Sequence, residues 1–401
     1  MRLKNALIIA ALLSLTAGTA AAEDIPIKIG VLNDRSGVYA DLAGEGSVIA
    51  AKMAVEDFGA DAKGVKVDIL SADHQNKPDI ASNISRQWID QDGVDVIADV
   101  PTSSAALAVN EVVREKNKIF LVSGAASSDL TGAKCSPNTV HWTYDTWALA
   151  HGTGKAMVEQ GGKKWFFITA DYAFGQALER DTTAVIKAAG GEVVGSVKHP
   201  FPGQDFSSFL LQAQSSGAQV IGLANAGGDT INSIKQAAEF GITQGGQKLA
   251  GLLIFISDVH ALGLQTAQGL VLTEAFYWDK DDGTRAFAKR FAERSGGKMP
   301  TMVHAGVYAS VLHYLKAVDA AKSKDPKLVM AKMKEMPSED PLFGKGKIRP
   351  DGRHVHDMYL FEVKKPEESK YPGDFYKLRA TIPAEEAFRP LKDGGCPLVS
   401  G

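Results

Sequence analysis

The sequence predicts an α/β protein with two doubly wound lobes, each built on a parallel β-sheet that helices cover on both faces. Short buried strands alternate with helices along the chain, and this alternation is typical of parallel sheets. The alternation occurs in two runs, which an irregular stretch at 131–145 separates. The 401 residues amount to about two to three times a typical domain, which favours two domains over one.

The first run begins near Ile25 and contains four predicted strands and three predicted helices. Pro78 opens one of the helices, a position that suits proline because an N–H in the first turn would have no partner. The predicted strands are Ile27–Leu32, Val65–Ala72, Val94–Ala98 and Lys118–Val122, and the predicted helices are Leu42–Phe58, Pro78–Ile89 and Ser104–Lys116.

The second run alternates in the same way and ends with a strand that we expect to reach Ile256. Its predicted helices are Thr146–Gln160, Gly175–Ala189, Phe206–Ser215 and Asp229–Phe240, and its predicted strands are Lys164–Thr169, Glu192–Lys198, Val220–Ala224 and Leu249–Ile256.

The rest of the chain is too short to form a third core, so we expect it to complete the two lobes. It contains predicted strands at Val271–Phe276, Met358–Val363 and Phe375–Arg379 and predicted helices at Thr284–Ser295, Val303–Lys322 and Lys327–Met336. We therefore predict an N-terminal lobe of residues 23–145 with 272–350 and a C-terminal lobe of residues 146–271 with 351–401.

The N-terminus predicts export. Arg2 and Lys4 precede an apolar stretch, and small residues follow it, with Ala20 and Ala22 at the positions that a signal peptidase requires. The apolar stretch is shorter than the roughly 20 residues that a membrane anchor needs. We expect a signal peptide at 1–22, cleavage near Ala22 and a periplasmic mature protein.

The charge and composition argue against a negatively charged macromolecule as the ligand. The net charge is −3 and 23% of the residues are charged, so no basic surface is predicted that would attract nucleic acid or an acidic membrane. We expect a soluble monomer with a small-molecule ligand.

Two cysteines, Cys135 and Cys396, are far apart in the sequence. In an oxidising compartment an even number of cysteines usually forms disulfides, so we predict one bond between them. Two unrelated free thiols are the alternative.

Motifs for catalysis are missing from the sequence. It contains no phosphate-binding Walker loop, no H-E-x-x-H, no G-x-S-x-G and no cluster of Cys and His. Gly44-Glu45-Gly46 begins a dinucleotide-binding pattern, but Ile49 stands where a small residue is needed. His354 and His356 would share one face of a strand, and we expect a solvated polar face there instead of a metal site. No catalytic residue, metal or cofactor is predicted.

Hydroxyl-rich and small residues follow two neighbouring strands of the first run. Ser103 and Ser104 come after the strand that ends at Ala98, and Ala125–Ser127 come after the strand that ends at Val122. Ligands of open parallel sheets bind at the carboxyl ends of strands, where helix N-termini offer free N–H groups. These residues therefore predict a carboxylate site, although Ser103 and Ser104 could also simply cap a helix.

The second run offers different side chains at the corresponding edge. Tyr172 follows one strand and is expected to cover the apolar body of a ligand. Asn225 and Gly227 follow another strand, and Asp258 follows the last one, where its carboxylate could neutralise a ligand ammonium group.

Several of these segments together resemble the periplasmic solute-binding proteins of ABC transporters, of the leucine/isoleucine/valine-binding class with the type I fold. The resemblance spans nearly the whole mature chain. The segments on which the resemblance rests are Ile27–Leu32 followed by Ser36-Gly37 and Gly44-Glu45-Gly46, then Ser123–Ser127, and then Asp171–Gly175.

The resemblance implies that three crossovers form a hinge that closes on the ligand and that a permease in the inner membrane receives it. It also implies that Ser103, Ser104 and Ala125–Ser127 hold a carboxylate. Tyr172 would pack on the ligand, and the residues lining the second lobe would be Asn225 to Gly228 and Asp258.

Two features bear on which ligand is bound. The family often has an aromatic residue where 225–227 lies, and here the loop is small and polar, which leaves room for a ligand bulkier than a branched-chain amino acid. The aromatic stretch 141–147 is similar to relatives that bind aromatic acids of the benzoate, cinnamate or arylpyruvate type.

Two other functions remain open at this point. The same fold could feed a signalling receptor instead of a transporter. An exported hydrolase would need Ser104 or Ser127 beside a histidine, for which His74, His141 and His260 are the candidates.

Overall fold

The structure, a computed structural model, describes residues 24–399. The predicted signal peptide at 1–22 lies outside these residues. Within the described part of the chain, no helix combines the length and the apolar character that crossing a membrane requires.

The first lobe is built on a five-stranded sheet in which every neighbouring pair is parallel, as predicted. The strand order is β2-β1-β3-β4-β5. The last strand falls in the stretch that we predicted to be irregular, because three residues are too few to show a pattern. The elements are β1 (Ile25–Asn33), α1 (Gly44–Phe58), β2 (Val65–Asp73), α2 (Pro78–Asp90), β3 (Val96–Asp99), α3 (Ser103–Glu115), β4 (Ile119–Val122) and β5 (Thr139–His141).

The second lobe contains a four-stranded parallel sheet with the order β7-β6-β8-β9. Its elements are α4 (Thr146–Leu149), α5 (Lys155–Glu159), β6 (Lys164–Ala170), α6 (Ala173–Ala188), β7 (Glu192–His199), α7 (Ser207–Ser215), β8 (Val220–Ala224), α8 (Gly228–Glu239), β9 (Lys248–Gly251), α9 (Ile256–Leu262) and α10 (Leu264–Ala267). A π-helical segment, Ala150–Gly154, joins α4 to α5.

One boundary in this lobe was predicted wrongly. The last strand ends at Gly251, and Ile256 begins helix α9 instead of ending the strand. The apolar run 252–255 is buried as a loop, so its hydrophobicity reflects burial and not strand pairing.

The remaining segment completes both lobes. Its elements are β10 (Val271–Glu274), α11 (Asp282–Arg294), α12 (Met302–Ala321), α13 (Pro326–Glu335), β11 (Ser338–Asp340), β12 (Gly344–Ile348), β13 (His354–Val355), β14 (Met358–Val363), β15 (Tyr376–Ile382) and α14 (Ala384–Ala387). Strands β10, β14 and β15 form an antiparallel sheet, and β11, β12 and β13 form a small one that we did not predict, because its glycines and lysines show no alternation.

Helices cover the first sheet on both faces. Helix α12 packs against α1 and contacts β3 and β4, while α2 and α3 pack together. Within β3, Val96 and Ala98 belong to one apolar core and Ile97 belongs to another. This burial on both faces explains why the strands are apolar without alternation. The exact lobe boundaries given above stay a prediction.

Three connections join the lobes, at 142–145, 275–281 and 356–357. A buried cluster lies where the first and third connections meet. His354 stacks on Trp142 with 3.8 Å between ring centroids, and His356 lies 5.1 Å from His354. Both histidines are fully buried, so the solvated face that we predicted for them is wrong. The strand alternation correctly placed them on one face, but the sequence did not reveal that the tryptophan covers it.

A disulfide joins Cys135 to Cys396 across 261 positions of sequence, with 5.6 Å between the Cα atoms. The predicted bond is confirmed. It ties the C-terminal tail, which follows strand β15, to a loop of the first lobe.

Candidate ligand-binding site

A cavity lies between the two lobes at the carboxyl ends of their parallel strands. In this arrangement of the lobes it is narrow: its enclosed volume is about 10 Å³, within about 220 Å³ of space between protein atoms that includes open solvent. All of its lining residues are uncharged, and five carry an aromatic ring. They are Tyr39, Leu42, Pro101, Gly124, Ala126, Tyr144, Tyr172, Phe174, Ala226, Leu253 and Phe255.

The loop at 123–127, which follows β4, forms one wall of this cavity. Ser103 lies behind it at the start of α3, fully buried. Its Oγ accepts hydrogen bonds from Ala126 N at 3.3 Å and from Ser127 N at 3.1 Å. Neither Gly124 N nor Ala125 N donates to another described residue. The loop therefore keeps main-chain donors available beside the cavity.

The opposite wall contains a contact between the lobes. The hydroxyl groups of Tyr39 and Tyr172 are hydrogen-bonded to each other, and the Tyr172 ring stacks on Phe201 with 4.2 Å between centroids. Gly228 N donates to Val38 O at 3.2 Å. The lobes thus touch each other at the edge of the cavity.

Gly227 takes part in the same contact. Its φ is +56°, and a Cβ at this position would lie 2.5 Å from Val38 O. Only glycine permits this approach of the two main chains without strain. Gly227 therefore serves the contact between the lobes and does not line the cavity.

Two residues predicted for the second lobe lie outside the cavity lining. Asn225 is fully buried, and its side chain bonds Ser233 Oγ at 3.1 Å and Thr230 Oγ1 at 2.8 Å. Asp258 accepts from Phe255 N at 3.0 Å in the first turn of α9, and burial raises the pKa of its carboxyl group to about 7. In this structure Asp258 caps a helix, a role consistent with its position three residues after Phe255.

The arrangement needed for a serine hydrolase is not found among residues 24–399. Ser127 Oγ accepts from Asp129 N at 3.4 Å, and Ser104, half-buried in the first turn of α3, is not hydrogen-bonded to a histidine of the described residues. His141 Nε2 bonds Ala125 O at 2.7 Å instead. The hydrogen bonds of the described residues therefore join neither serine to a general base.

Sequence reasoning placed Ala126 and Tyr172 correctly at the cavity but missed several of its other residues. Tyr39 follows the first strand, so the same argument about strand ends could have found it. Leu253 and Phe255 lie in the run that we predicted as strand. Of the aromatic stretch 141–147, Tyr144 reaches the cavity, whereas Trp142 stacks on His354.

A second, wider groove of about 1790 Å³ opens between the lobes beside α1 and α9. Its cations are paired with carboxylates on the protein: Arg35 with Glu45, Lys298 with Asp41 at 3.0 Å and Arg294 with Glu56 at 2.9 Å. Because these charges are already neutralised, the groove offers an anion less than the inner cavity does.

Known proteins with the same architecture are similar to this chain. The family of periplasmic binding proteins matches residues 26–370. A periplasmic binding protein from Burkholderia mallei is 54% identical, with a TM-score of 0.91 over 95% of this chain and 100% of that one.

Two further solved structures are similar over nearly their whole length. A branched-chain amino acid ABC transporter periplasmic ligand-binding protein from Burkholderia xenovorans LB400 is 44% identical, with a TM-score of 0.83 over 93% of this chain and 99% of that one. A solute-binding protein of an ABC transporter from Rhodopseudomonas palustris HaA2, in complex with p-hydroxybenzoic acid, is 25% identical, with a TM-score of 0.82 over 90% and 98%.

Proposed function

The chain belongs to the periplasmic binding protein family, and we propose that it captures a small carboxylate with an apolar body between its lobes for an ABC importer. The ligand class comprises amino acids and aromatic acids. The Burkholderia xenovorans relative is described as serving branched-chain amino acids, and the Rhodopseudomonas palustris relative holds a hydroxybenzoate.

One observation gives the main support for this proposal. The cavity joins free main-chain donors at 124–125 to a lining of aromatic and aliphatic side chains without a charge. Backbone N–H groups at strand ends and helix N-termini bind anions well, and rings bury an apolar body. We propose that Ser103, Ser104 and Ala125–Ser127 form the carboxylate side and that Tyr172 covers the apolar body of the ligand. Asn225, Gly227 and Asp258, which we predicted as ligand contacts, support the second lobe around the cavity and do not line it.

Closure of the hinge is the proposed response to the ligand. A ligand that touches both lobes binds the closed arrangement more tightly than the open one, and only such a difference can shift the equilibrium. The contact of Tyr39 with Tyr172 supports this, because it exists only when the lobes are together.

Membership of this family implies a periplasmic protein that binds its ligand without turning it over. We further propose cleavage of the leader near Ala22 and delivery by a monomer to a permease of the inner membrane. For the lobes we propose 23–145 with 272–350 and 146–271 with 351–401, with the last two boundaries moved to the connections at 275–281 and 356–357 because β10 pairs with β14. Loss of uptake of the bound ligand when the gene is deleted would support delivery to a transporter, and unchanged uptake would contradict it.

A thermal-shift screen tests the ligand class. A bound ligand raises the melting temperature by mass action, so aliphatic and aromatic carboxylates should stabilise the protein while their esters and amides should not. Stabilisation by sugars or amines alone would contradict the proposal.

Replacing Ser103 by alanine is expected to weaken binding of the carboxylate about tenfold. The substitution removes the acceptor that holds the amides of Ala126 and Ser127, and losing a buried hydrogen-bonding group costs about 1–2 kcal/mol. Calorimetry with the tightest carboxylate of the screen measures the change.

Ser85→Ala is the matched control, because Ser85 is also fully buried in the first lobe and bonds Ala81 O at 2.7 Å within α2. It should lower stability without changing the dissociation constant. Equal affinity of the Ser103→Ala variant and the wild-type protein would remove Ser103 from the site.

A further inference from the structure

The first connection between the lobes fixes the ligand loop through its carbonyl groups. Three consecutive carbonyls of the loop each accept a hydrogen bond from this connection or from a residue at one of its ends. The bonds run from Tyr144 Oη to Gly124 O at 2.6 Å, from His141 Nε2 to Ala125 O at 2.7 Å and from Thr146 N to Ala126 O at 2.8 Å.

These bonds decide which groups the loop can offer to a ligand. Since each peptide plane has its C=O turned toward the connection, its N–H points the other way. Of the N–H groups in these three planes, those of Ala126 and Ser127 reach Ser103 Oγ, and that of Ala125 has no partner among the described residues. Gly124 N, which belongs to the preceding plane, has no partner there either. The loop therefore has donors to spare, while each carbonyl of 124–126 already accepts one hydrogen bond.

A ligand carboxylate and a ligand α-ammonium group place opposite demands on this loop. A carboxylate needs only donors, whereas an α-ammonium, one carbon away from it, needs acceptors in the same place. Burying an ammonium without acceptors is costly. A loop with spare donors, whose carbonyls each already accept one hydrogen bond from the connection, thus favours a carboxylate that carries no α-ammonium.

The buried acids near the second lobe do not supply the missing acceptor at the cavity wall. Asp258 accepts from Phe255 N at 3.0 Å, and Glu274 accepts from Tyr376 Oη at 3.1 Å. Neither side chain lines the cavity.

We propose that Tyr144 and His141 are positioning residues that make the ligand loop a donor surface, so that the site selects carboxylates without an α-ammonium group over amino acids. The proposal rests on the proposed function, since it concerns the same cavity. Tyr144 lines the cavity and also lies on the connection, so it links ligand recognition directly to the hinge.

Calorimetry with two matched ligand pairs tests this selection. 3-Phenylpropanoate differs from phenylalanine, and 4-methylpentanoate from leucine, only by the α-ammonium. The wild-type protein should bind the better of the two plain acids at least tenfold more tightly than its amino acid. Equal affinities within both pairs would overturn the proposal while leaving the proposed function intact, and absence of binding by all four ligands would overturn both.

Tyr144→Phe should reduce the preference for the plain acid at least threefold, because Gly124 O becomes free to accept from an ammonium. Tyr277→Phe is the matched control: the Tyr277 hydroxyl is also mostly buried and donates to a glycine carbonyl, Gly373 O, at 3.0 Å. The control should lose stability and keep the preference. An unchanged preference in the Tyr144→Phe variant would overturn its role.

Variants of His141 give an independent readout. Glutamine at this position can still donate to Ala125 O, whereas alanine cannot. We expect His141→Gln to keep the preference for the plain acid and His141→Ala to lose it. Equal behaviour of the two variants would show that His141 serves packing alone.

Discussion

Replacing Arg353 by methionine is expected to lower the free energy of unfolding by about 3–5 kcal/mol, the cost of breaking a buried ion pair. The Arg353 guanidinium is fully buried and lies 3.5 Å from Asp145 Oδ2. It also donates to Tyr144 O at 3.1 Å and lies 4.4 Å from the centroid of the Phe388 ring. Without the arginine, the carboxylate of Asp145 would stay buried with no cation beside it.

Denaturant unfolding of the single and double variants measures this effect. Asp145→Asn keeps the bond that caps α4, because asparagine also caps helices well, and its side-chain oxygen can accept from Ala148 N as Asp145 does at 2.9 Å. The double variant Arg353→Met, Asp145→Asn should therefore be more stable than Arg353→Met alone, a coupling that a double-mutant cycle isolates. A loss below 1 kcal/mol in Arg353→Met, or simple additivity, would contradict the importance of this pair.

Replacing both Cys135 and Cys396 by serine is expected to destabilise the protein by up to about 5 kcal/mol, because the bond closes a long loop. The sequence separation is 261 residues, so the unfolded chain is strongly restricted by the crosslink. The tail also bonds the first lobe through Arg389, whose guanidinium donates to Ser128 O at 3.0 Å.

Thermal unfolding with and without a reducing agent measures the contribution of the disulfide. Reduction should lower the melting temperature of the wild-type protein to that of the double-serine variant and should leave the variant itself unchanged. Limited proteolysis should then cut the tail after strand β15. An identical melting temperature of oxidised and reduced wild-type protein would contradict the expected role.

The regular parts of the fold were predictable because their cause lies in the local sequence. Buried strands such as Val220–Ala224 and helices with a clear start signal, such as the one that opens with Pro78, show their pattern within a few residues, and both are found close to their predicted bounds. The short strand at 139–141 pairs with residues 120–122 and is too short to show a pattern. The strands of the sheet at 338–355 pair with their sequence neighbours, but they are short and rich in glycine and lysine, so they show no alternation. No local pattern could reveal them.

The candidate site, like the fold, could be predicted from the sequence only in part. The rule that ligands bind at strand ends pointed to residues that line the cavity, namely Ala126 and Tyr172, and their contact with a ligand stays a prediction. It could not distinguish side chains that face the cavity from those that serve the fold nearby. Asp258 has the residue type of a ligand contact and caps α9 instead, while Tyr39 lines the cavity from the loop after the first strand, where the same rule could have found it.

A crystal structure with 4-bromobenzoate, whose bromine atom can be located by anomalous scattering, tests the central claim most directly. The account predicts a bromine peak among the rings of Tyr39, Tyr172 and Phe255, with the carboxylate hydrogen-bonded to the main-chain N–H groups of Gly124 and Ala125. Bromine located in the wider groove beside Arg294 and Lys298, or a carboxylate turned away from the loop, would contradict it.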